Sequence, residues 1–393
     1  MISSYDSIPR RLLVPDAQKE MRLRVGKHHE YIDRQESLDK FISAARDAPW
    51  IAVDTEFERV RTFYPRLCLI QLAIPTTSAC IDPLADLDLQ GLRKILCDSA
   101  AIKIFHAARQ DLEVLQHALG IVPNHLFDTQ IAAAMGGHGD QIGYAQIVKE
   151  LCGVELSKAF TRTPWCRRPL SQEEILYALD DVEYLDDLYA ALKANLSAMG
   201  RIEWLEEDCA MLIADDYSEN EAAVEKVLRA CSAMDRTSQS VAHALAQWRE
   251  ETAKRRDRPR EWLLSTAAIV SLAHERPATC QALSRIAELQ PGTVKHRGDE
   301  ILSAIQTGEK NAPSFNPVKR PTRPDPKTKA LGNEMWRVLG ELCANADLPT
   351  SCVARRDEIR ALAAGTPSDR LMSGWRREFA GNQLMQMTRA ARD

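Results

Sequence analysis

At 393 residues the chain is too long for one ordinary core, so two or three domains are expected. Its 45% apolar and 27% charged residues describe soluble globular material, and a net charge of −5 argues against a protein that coats nucleic acid through bulk charge. No signal-peptide core opens the sequence, and the longest apolar run, "LCLIQLAI" (67–74), is far too short to span a bilayer.

Ten cysteines lie scattered without a C-x-x-C pair, which argues against a zinc site and against a disulfide framework. A cytoplasmic location, with no membrane partner, is the expectation. Charge is uneven along the chain. Residues 309–330 carry six basic and two acidic residues, and 351–393 carry eight arginines against five acids.

In chain order, apolar strands are expected at 50–54, 67–74, 78–82 and 102–106. "LQGLRKIL" (89–96) and "DLEVLQHAL" (111–119) have helical periodicity, and "HLFDTQIAAAM" (125–135) reads as a turn into a helix with Asp128 as N-cap. A mixed sheet with helices packed on its faces follows. After about residue 200 strand signals nearly vanish. The stretch 237–277 is helical throughout, broken at "RDRPR", and 311–328 holds five prolines and reads as a linker before a last helical stretch. The domains expected are an extension (1–28), an α/β domain (29–205), a connecting helix (206–234), a helical domain (235–310), the linker (311–328) and a second helical domain (329–393).

The chemistry begins at "PWIAVDTEFERV" (49–60), an apolar strand ending in Asp54 and Glu56. Residues two apart on a strand share a face, which sets their Cβ atoms about 6.5–7 Å apart. That spacing suits two carboxylates around a pair of divalent cations about 3.5–4 Å apart. Without cations the charges repel and one is driven toward protonation. Two further features join them. Asp111 falls in the first turn of a helix that follows a strand, and Tyr177 and Asp181 lie four apart on one helix face. Taken singly, each has a bland explanation: an exposed strand end, a helix-dipole acid, an incidental pair.

In this order, Asp54-Thr55-Glu56, Asp111 and Tyr177-x-x-x-Asp181 resemble the tyrosine-bearing branch of the DEDD 3′–5′ exonucleases. "DTEFERVRTFYPRLCLIQLA" (54–73), "FHAARQDLEVL" (105–115), "FDTQIAA" (127–133) and "RTPWCRRPLSQEEILYALDDVEYL" (162–185) are similar to bacterial ribonuclease D over roughly residues 30–205. "ALAQWREETAKRRDRPREWLLSTAAIVSLA" (244–273) resembles an HRDC domain, and "GWRREFAG" (374–381) resembles the end of a second. The resemblance implies a ribonuclease H-like α/β exonuclease domain, a mixed sheet flanked by helices, followed by two small all-α HRDC-type domains.

It also implies an active site. Asp54, Glu56, Asp111 and Asp181 hold two divalent cations, Mg²⁺ or Mn²⁺, whose preference for hard oxygen ligands suits carboxylates. Tyr177 orients the attacking water, because a phenol with a pKa near 10 is a poor base at neutral pH. Of the adjacent pair at 180 and 181 only Asp181 keeps register with Tyr177, which leaves Asp180 in a supporting role. Asp128 is placed behind the site as a support. Phe57 either stacks on the terminal base or turns into the core. Arg162, Trp165, Arg167 and Arg168 are candidates for substrate contacts, and Trp248, Arg255, Arg256 and Arg258 are weaker ones.

The expected activity is 3′–5′ exoribonucleolysis of tRNA precursors and other RNAs by a monomer, releasing nucleoside 5′-monophosphates without a nucleotide cofactor. A DNA exonuclease would use the same carboxylates, although no P-loop or polymerase motif accompanies them. The reading from another class is an inactive RNA-binding adaptor, which loss of a ligand would signal; none is missing.

Overall fold

The computed structural model describes residues 27–391 except 158–159, 161–162, 216, 218–219 and 320–324. Most of the expected N-terminal extension, part of the proline-rich linker and Arg162 lie outside the described residues. Six strands form one sheet: β1 (His28–Ile32), β2 (Trp50–Glu58), β3 (Arg66–Ala73), β4 (Thr77–Ile81), β5 (Ile102–Phe105) and β6 (Leu126–Asp128), in the order β1-β4-β3-β2-β5-β6. β3 and β4 form an antiparallel pair, whereas β1 with β4, β2 with β5 and β5 with β6 run parallel. The mixed sheet expected from the sequence is thus present, with two strands more. β1 is short and polar ("HHEYI"), and β6 has three residues, so neither carries an alternating apolar signal long enough to read.

The helices around the sheet are α1 (Gln35–Ala45), α2 (Gln90–Leu96), α3 (Arg109–Leu119), α4 (Thr129–Met135), α5 (Tyr144–Cys152), α6 (Gln172–Glu183), α7 (Leu185–Met199) and α8 (Ile202–Ala214). Helices cover the sheet, which is why Ile51, Ala52 and Val53 on successive β2 positions are all fully buried. Further segments belong to this first unit's core: α15 (Pro326–Asn345), α16 (Thr350–Val353), α17 (Arg356–Ala364), α18 (Gly374–Arg376) and α19 (Asn382–Ala390). Met335, Leu339, Leu362 and Leu384 from them join Ala52, Ile104 and Leu188 in one apolar cluster.

Trp375 fixes the last helices. Its ring stacks on Trp204 of α8 at 4.5 Å between centroids, and its Nε1–H donates to Asp208 Oδ1. Arg376 donates to both Asp208 oxygens at 2.6 Å, a buried bidentate pair.

The second unit comprises Glu58–Arg66 and Asp215–Asp325. It contains α9 (Asn220–Ala230), α10 (Arg236–Arg256), α11 (Arg260–Leu263), α12 (Thr266–Glu275), α13 (Cys280–Leu283) and α14 (Pro291–Asn311). α10 and α14 touch where Gly308 lies against Val241. A Cβ on Gly308 would stand 2.5 Å from the Val241 Cα, so only glycine allows this approach. Asp257 ends α10 in a left-handed conformation and accepts from the Phe63 and Tyr64 amides, while Arg260 lies over the Phe63 ring. Trp248 Nε1 donates to Glu300, whose carboxylate also pairs with Arg256, so two of the weaker RNA-contact candidates have partners inside this unit.

Cys68 and Cys166 form a disulfide, 98 residues apart, although the scattered cysteines argue against a disulfide framework. Spacing gives no hint of it, because the fold alone brings β3 to the segment before α6. Among the described residues, no helix is long and apolar enough to cross a membrane.

Candidate active site

β2 outlasts its parallel neighbour. Trp50, Ile51 and Ala52 pair with Ile102, Lys103 and Ile104, and β5 ends one residue later at Phe105. The chain then turns away through His106–Ala108 into α3. Asp54 and Glu56 therefore lie past the end of β5, at the carboxyl edge of the parallel strands, where open α/β sheets place their ligands.

Asp111 reaches this edge from the first turn of α3 and is 6% exposed. Its Oδ1 accepts from Thr55 Oγ1 at 2.5 Å, so the residue between the two β2 carboxylates holds the third. The turn that presents Asp111 is conformationally demanding. Ala107 has φ +61°, an uncommon region for a residue with a Cβ. Asp128 holds it there: Oδ1 accepts from Ala107 N (3.1 Å), Gln130 N (2.8 Å) and Ile131 N (3.2 Å), and Oδ2 from Ala108 N (2.8 Å). The carboxylate that caps α4 thus also fixes the entry to α3. Asp128→Ala would leave the buried Ala108 amide short of an acceptor, at about 1–3 kcal/mol, and would also release the half-buried Gln130 and Ile131 amides and that of exposed Ala107, which water can partly satisfy. A loss of about 2 kcal/mol in a urea titration is expected, together with weakened activity. Stability unchanged within 1 kcal/mol, roughly the worth of one ordinary hydrogen bond, would contradict the role.

α6 brings the third component. Ser171 and Glu174 form a capping box at its start, and Arg167 pairs with the same Glu174. Asp181 sits in the last turns, and oxygens of Asp54, Glu56 and Asp181 all lie within 4.8 Å of one another. Tyr177 stands one turn earlier. The Trp165 ring stacks against it at 6.3 Å and Phe160 meets it edge-on at 5.8 Å.

The electrostatics are those of buried carboxylates crowded together. Burial, then Asp111, Asp181 and Glu56, drive Asp54 well above the usual carboxylate range. Burial, then Asp181 and Asp111, push Glu56 to about 8. Burial lifts Asp111 to about 7 despite the opposing Thr55 hydrogen bond, and lifts Asp181 to about 7 with help from Asp180 and Asp111. The neighbours raising these values are other carboxylates. An all-oxygen anionic set of this kind suits hard divalent cations rather than zinc.

The candidates for substrate contact have other surroundings. Arg168 donates to both oxygens of Asp82 and to the carbonyls of Cys68, Trp165 and Arg167. Tyr31 also donates to Asp82, so this guanidinium is committed to fastening the loop before α6. Trp165 is 4% exposed and backs Tyr177. Together with the Cys68–Cys166 link, these contacts make the loop a fixed support for Tyr177. Phe57 is half-buried.

Thr55, Phe160, His106 and Tyr144 join the site without having been singled out from sequence. His106 sets its two ring nitrogens against Thr129 Oγ1 and the Ile142 carbonyl. Thr55 had a signal, since it sits inside the acidic motif. The other three are placed only by the fold.

A 3′-5′ exonuclease family model matches residues 29–197, and an HRDC domain model matches residues 238–305. Ribonuclease D of Bartonella henselae is 33% identical over 364 residues, covering 91% of this chain and 89% of its own length. The chain belongs to the ribonuclease D family. The relative from Gluconacetobacter diazotrophicus, also a ribonuclease D, is 34% identical over 91% of this chain and 92% of its own. The crystal structure of Escherichia coli RNase D superposes with a TM-score of 0.84 at 27% identity, covering 92% of this chain and 99% of that one. The chain is accordingly a 3′–5′ exoribonuclease, a hydrolase of RNA that uses divalent metal ions, built from a mixed-sheet exonuclease domain and a helical C-terminal region that includes an HRDC domain.

Proposed function

We propose that the chain trims the 3′ ends of tRNA precursors and other structured RNAs in the cytoplasm, with two divalent cations, Mg²⁺ or Mn²⁺. The observation that carries the catalytic part is the meeting of Asp54, Glu56 and Asp181 within 4.8 Å, with Tyr177 one turn from Asp181. The substrate part rests on kinship, since the E. coli relative is described as an exoribonuclease involved in structured RNA processing.

In this reading Asp54, Glu56 and Asp181 would hold one cation, and Asp111 would help to hold the second. When bound, such cations acidify a water and stabilise the charge on the departing 3′ oxygen. Tyr177, wedged between Trp165 and Phe160, directs the water at the terminal phosphodiester through its hydroxyl. Thr55 keeps Asp111 turned toward the cluster. Cleavage leaves a nucleoside 5′-monophosphate, and the shortened strand moves up by one residue.

The test uses a 5′-labelled tRNA with a short 3′ extension, incubated with Mg²⁺, Mn²⁺ or EDTA beside a matched single-stranded DNA. Stepwise, metal-dependent shortening of the RNA that vanishes in Asp54→Ala is expected. Tyr177→Phe should slow single-turnover cleavage by about 10²-fold, the scale of a positioned polar group, and less than Asp54→Ala does. Equal losses would remove Tyr177 from an orienting role, and faster loss of the DNA would overturn the substrate assignment.

A further inference from the structure

α6 and α7 are nearly one helix. α6 ends at Glu183, α7 begins at Leu185, and between them Tyr184 leaves helical geometry with φ −107° and ψ 4°. In an uninterrupted helix the Tyr184 N–H would donate to the Asp180 carbonyl four residues back. Here a side chain from another element stands between the two. Tyr144, the first residue of α5, donates from its hydroxyl to the Asp180 carbonyl at 2.9 Å and accepts from the Tyr184 N–H at 3.2 Å, an amide also turned toward the Val182 carbonyl. Insertion of a polar group into the backbone ladder is an established cause of a helix break. The residue immediately after the captured carbonyl is Asp181.

The same short segment is tied to the opposite side of the site. The Ile142 carbonyl accepts from Gln130 Nε2 at 3.0 Å and faces His106 Nε2 at 3.0 Å, and His106 lies in the turn that leads to Asp111. The Tyr144 ring packs beside the His106 ring, 5.6 Å between centroids. Residues 142–144 therefore connect the support of Asp111 to the helix end that carries Asp181.

We propose that Tyr144 is a positioning residue for the metal site: by occupying the Asp180–Tyr184 hydrogen bond it sets the last turn of α6 and so aims the Asp181 carboxylate at Asp54 and Glu56. The inference rests on the reading of Asp181 as a metal ligand. Phenylalanine at 144 fills the same volume but cannot hold the ladder open. The Tyr184 amide would then close on Asp180, turning Asp181 away.

The experiment is a Mn²⁺ titration of the full-length protein without RNA, following free Mn²⁺ by electron paramagnetic resonance, for wild type, Tyr144→Phe, 4-aminophenylalanine at 144 and Asp181→Asn. Tyr144→Phe is expected to bind Mn²⁺ about 10-fold more weakly, the scale for partners that orient metal ligands. Its half-maximal Mn²⁺ for RNA cleavage should shift by the same factor, while its melting temperature in EDTA stays near wild type. The amine of 4-aminophenylalanine donates but accepts poorly, so that protein should fall between the two. Wild-type Mn²⁺ affinity in Tyr144→Phe overturns the proposal. If that variant does not fold, wild-type affinity in the 4-aminophenylalanine protein does so instead. Wild-type affinity in Asp181→Asn would show that the ligand assignment, not the positioning argument, had failed.

Discussion

Asp54→Asn should yield a protein that no longer cleaves RNA yet melts at a higher temperature than wild type in EDTA. Loss of the central ligand should reduce turnover by about 10³-fold or more, roughly 4 kcal/mol of barrier. The stability gain has a separate cause. Asp54 is crowded by Asp111, Asp181 and Glu56, and burial and repulsion together raise its proton affinity well above normal. An amide of the same shape removes that repulsion. The pH dependence follows with a definite sign. In the unfolded chain these carboxyls ionise near pH 4, whereas in the fold Asp111 and Asp181 hold protons to about 7 and Glu56 to about 8. The folded, metal-free protein thus binds more protons across that window, so its stability falls as pH rises from about 4 to about 8. Cations replace those protons, and Mn²⁺ should raise the melting temperature more at pH 8 than at pH 5.5. The Asp54→Asn protein should show a flatter pH profile and a smaller Mn²⁺ effect. Differential scanning fluorimetry at the two pH values decides it: a destabilised variant, or a larger Mn²⁺ gain at the lower pH, would contradict the account.

The second large effect concerns stability alone. Arg376→Ala leaves Asp208, 9% exposed, without the guanidinium that satisfies both of its oxygens. Breaking one side of a buried pair costs about 3–5 kcal/mol, because the surviving charge has nowhere to be solvated. The Trp204–Trp375 stack lies beside that pair, so tryptophan fluorescence should report the loss in a denaturant titration. Replacing both charges, Asp208→Leu with Arg376→Met, should recover much of it, since no orphan charge remains. A single variant as stable as wild type would show that water reaches Asp208 after all.

Local signals carried much of the fold. β2 and β3 each contain a run of buried β-branched or aliphatic residues, and α3 shows its helical period directly. β6 reads as part of a turn in the sequence, because three residues carry no period. In the site, Asp54, Glu56, Asp111, Tyr177 and Asp181 stand out because acids at a strand end or one helical turn apart form a pattern within a few residues. Tyr144, Phe160 and the Cys68–Cys166 pair have no such pattern. Their partners lie 36, 17 and 98 residues away, and only the folded sheet brings them together. Trp165 and Arg168, an aromatic and a basic residue before the third motif, read as RNA contacts in the sequence, and only the fold shows that they also meet Tyr177 and Asp82.

The first unit is discontinuous in sequence, and this matters for how the gene can be cut. Met335, Leu339 and Leu384 complete the apolar cluster that also contains Ala52 and Ile104, so a stop codon late in the reading frame removes part of the interior behind the carboxylates. Nonsense and frameshift alleles near the 3′ end should therefore behave as null alleles rather than as trimmed but working ones. The stretch between Asp215 and Asp325 is an internal insertion by comparison, and an in-frame excision there leaves that cluster whole. Even so, such an excision strips Asp257 from the Phe63 and Tyr64 amides, so an excised version also needs a redesigned 58–66 loop.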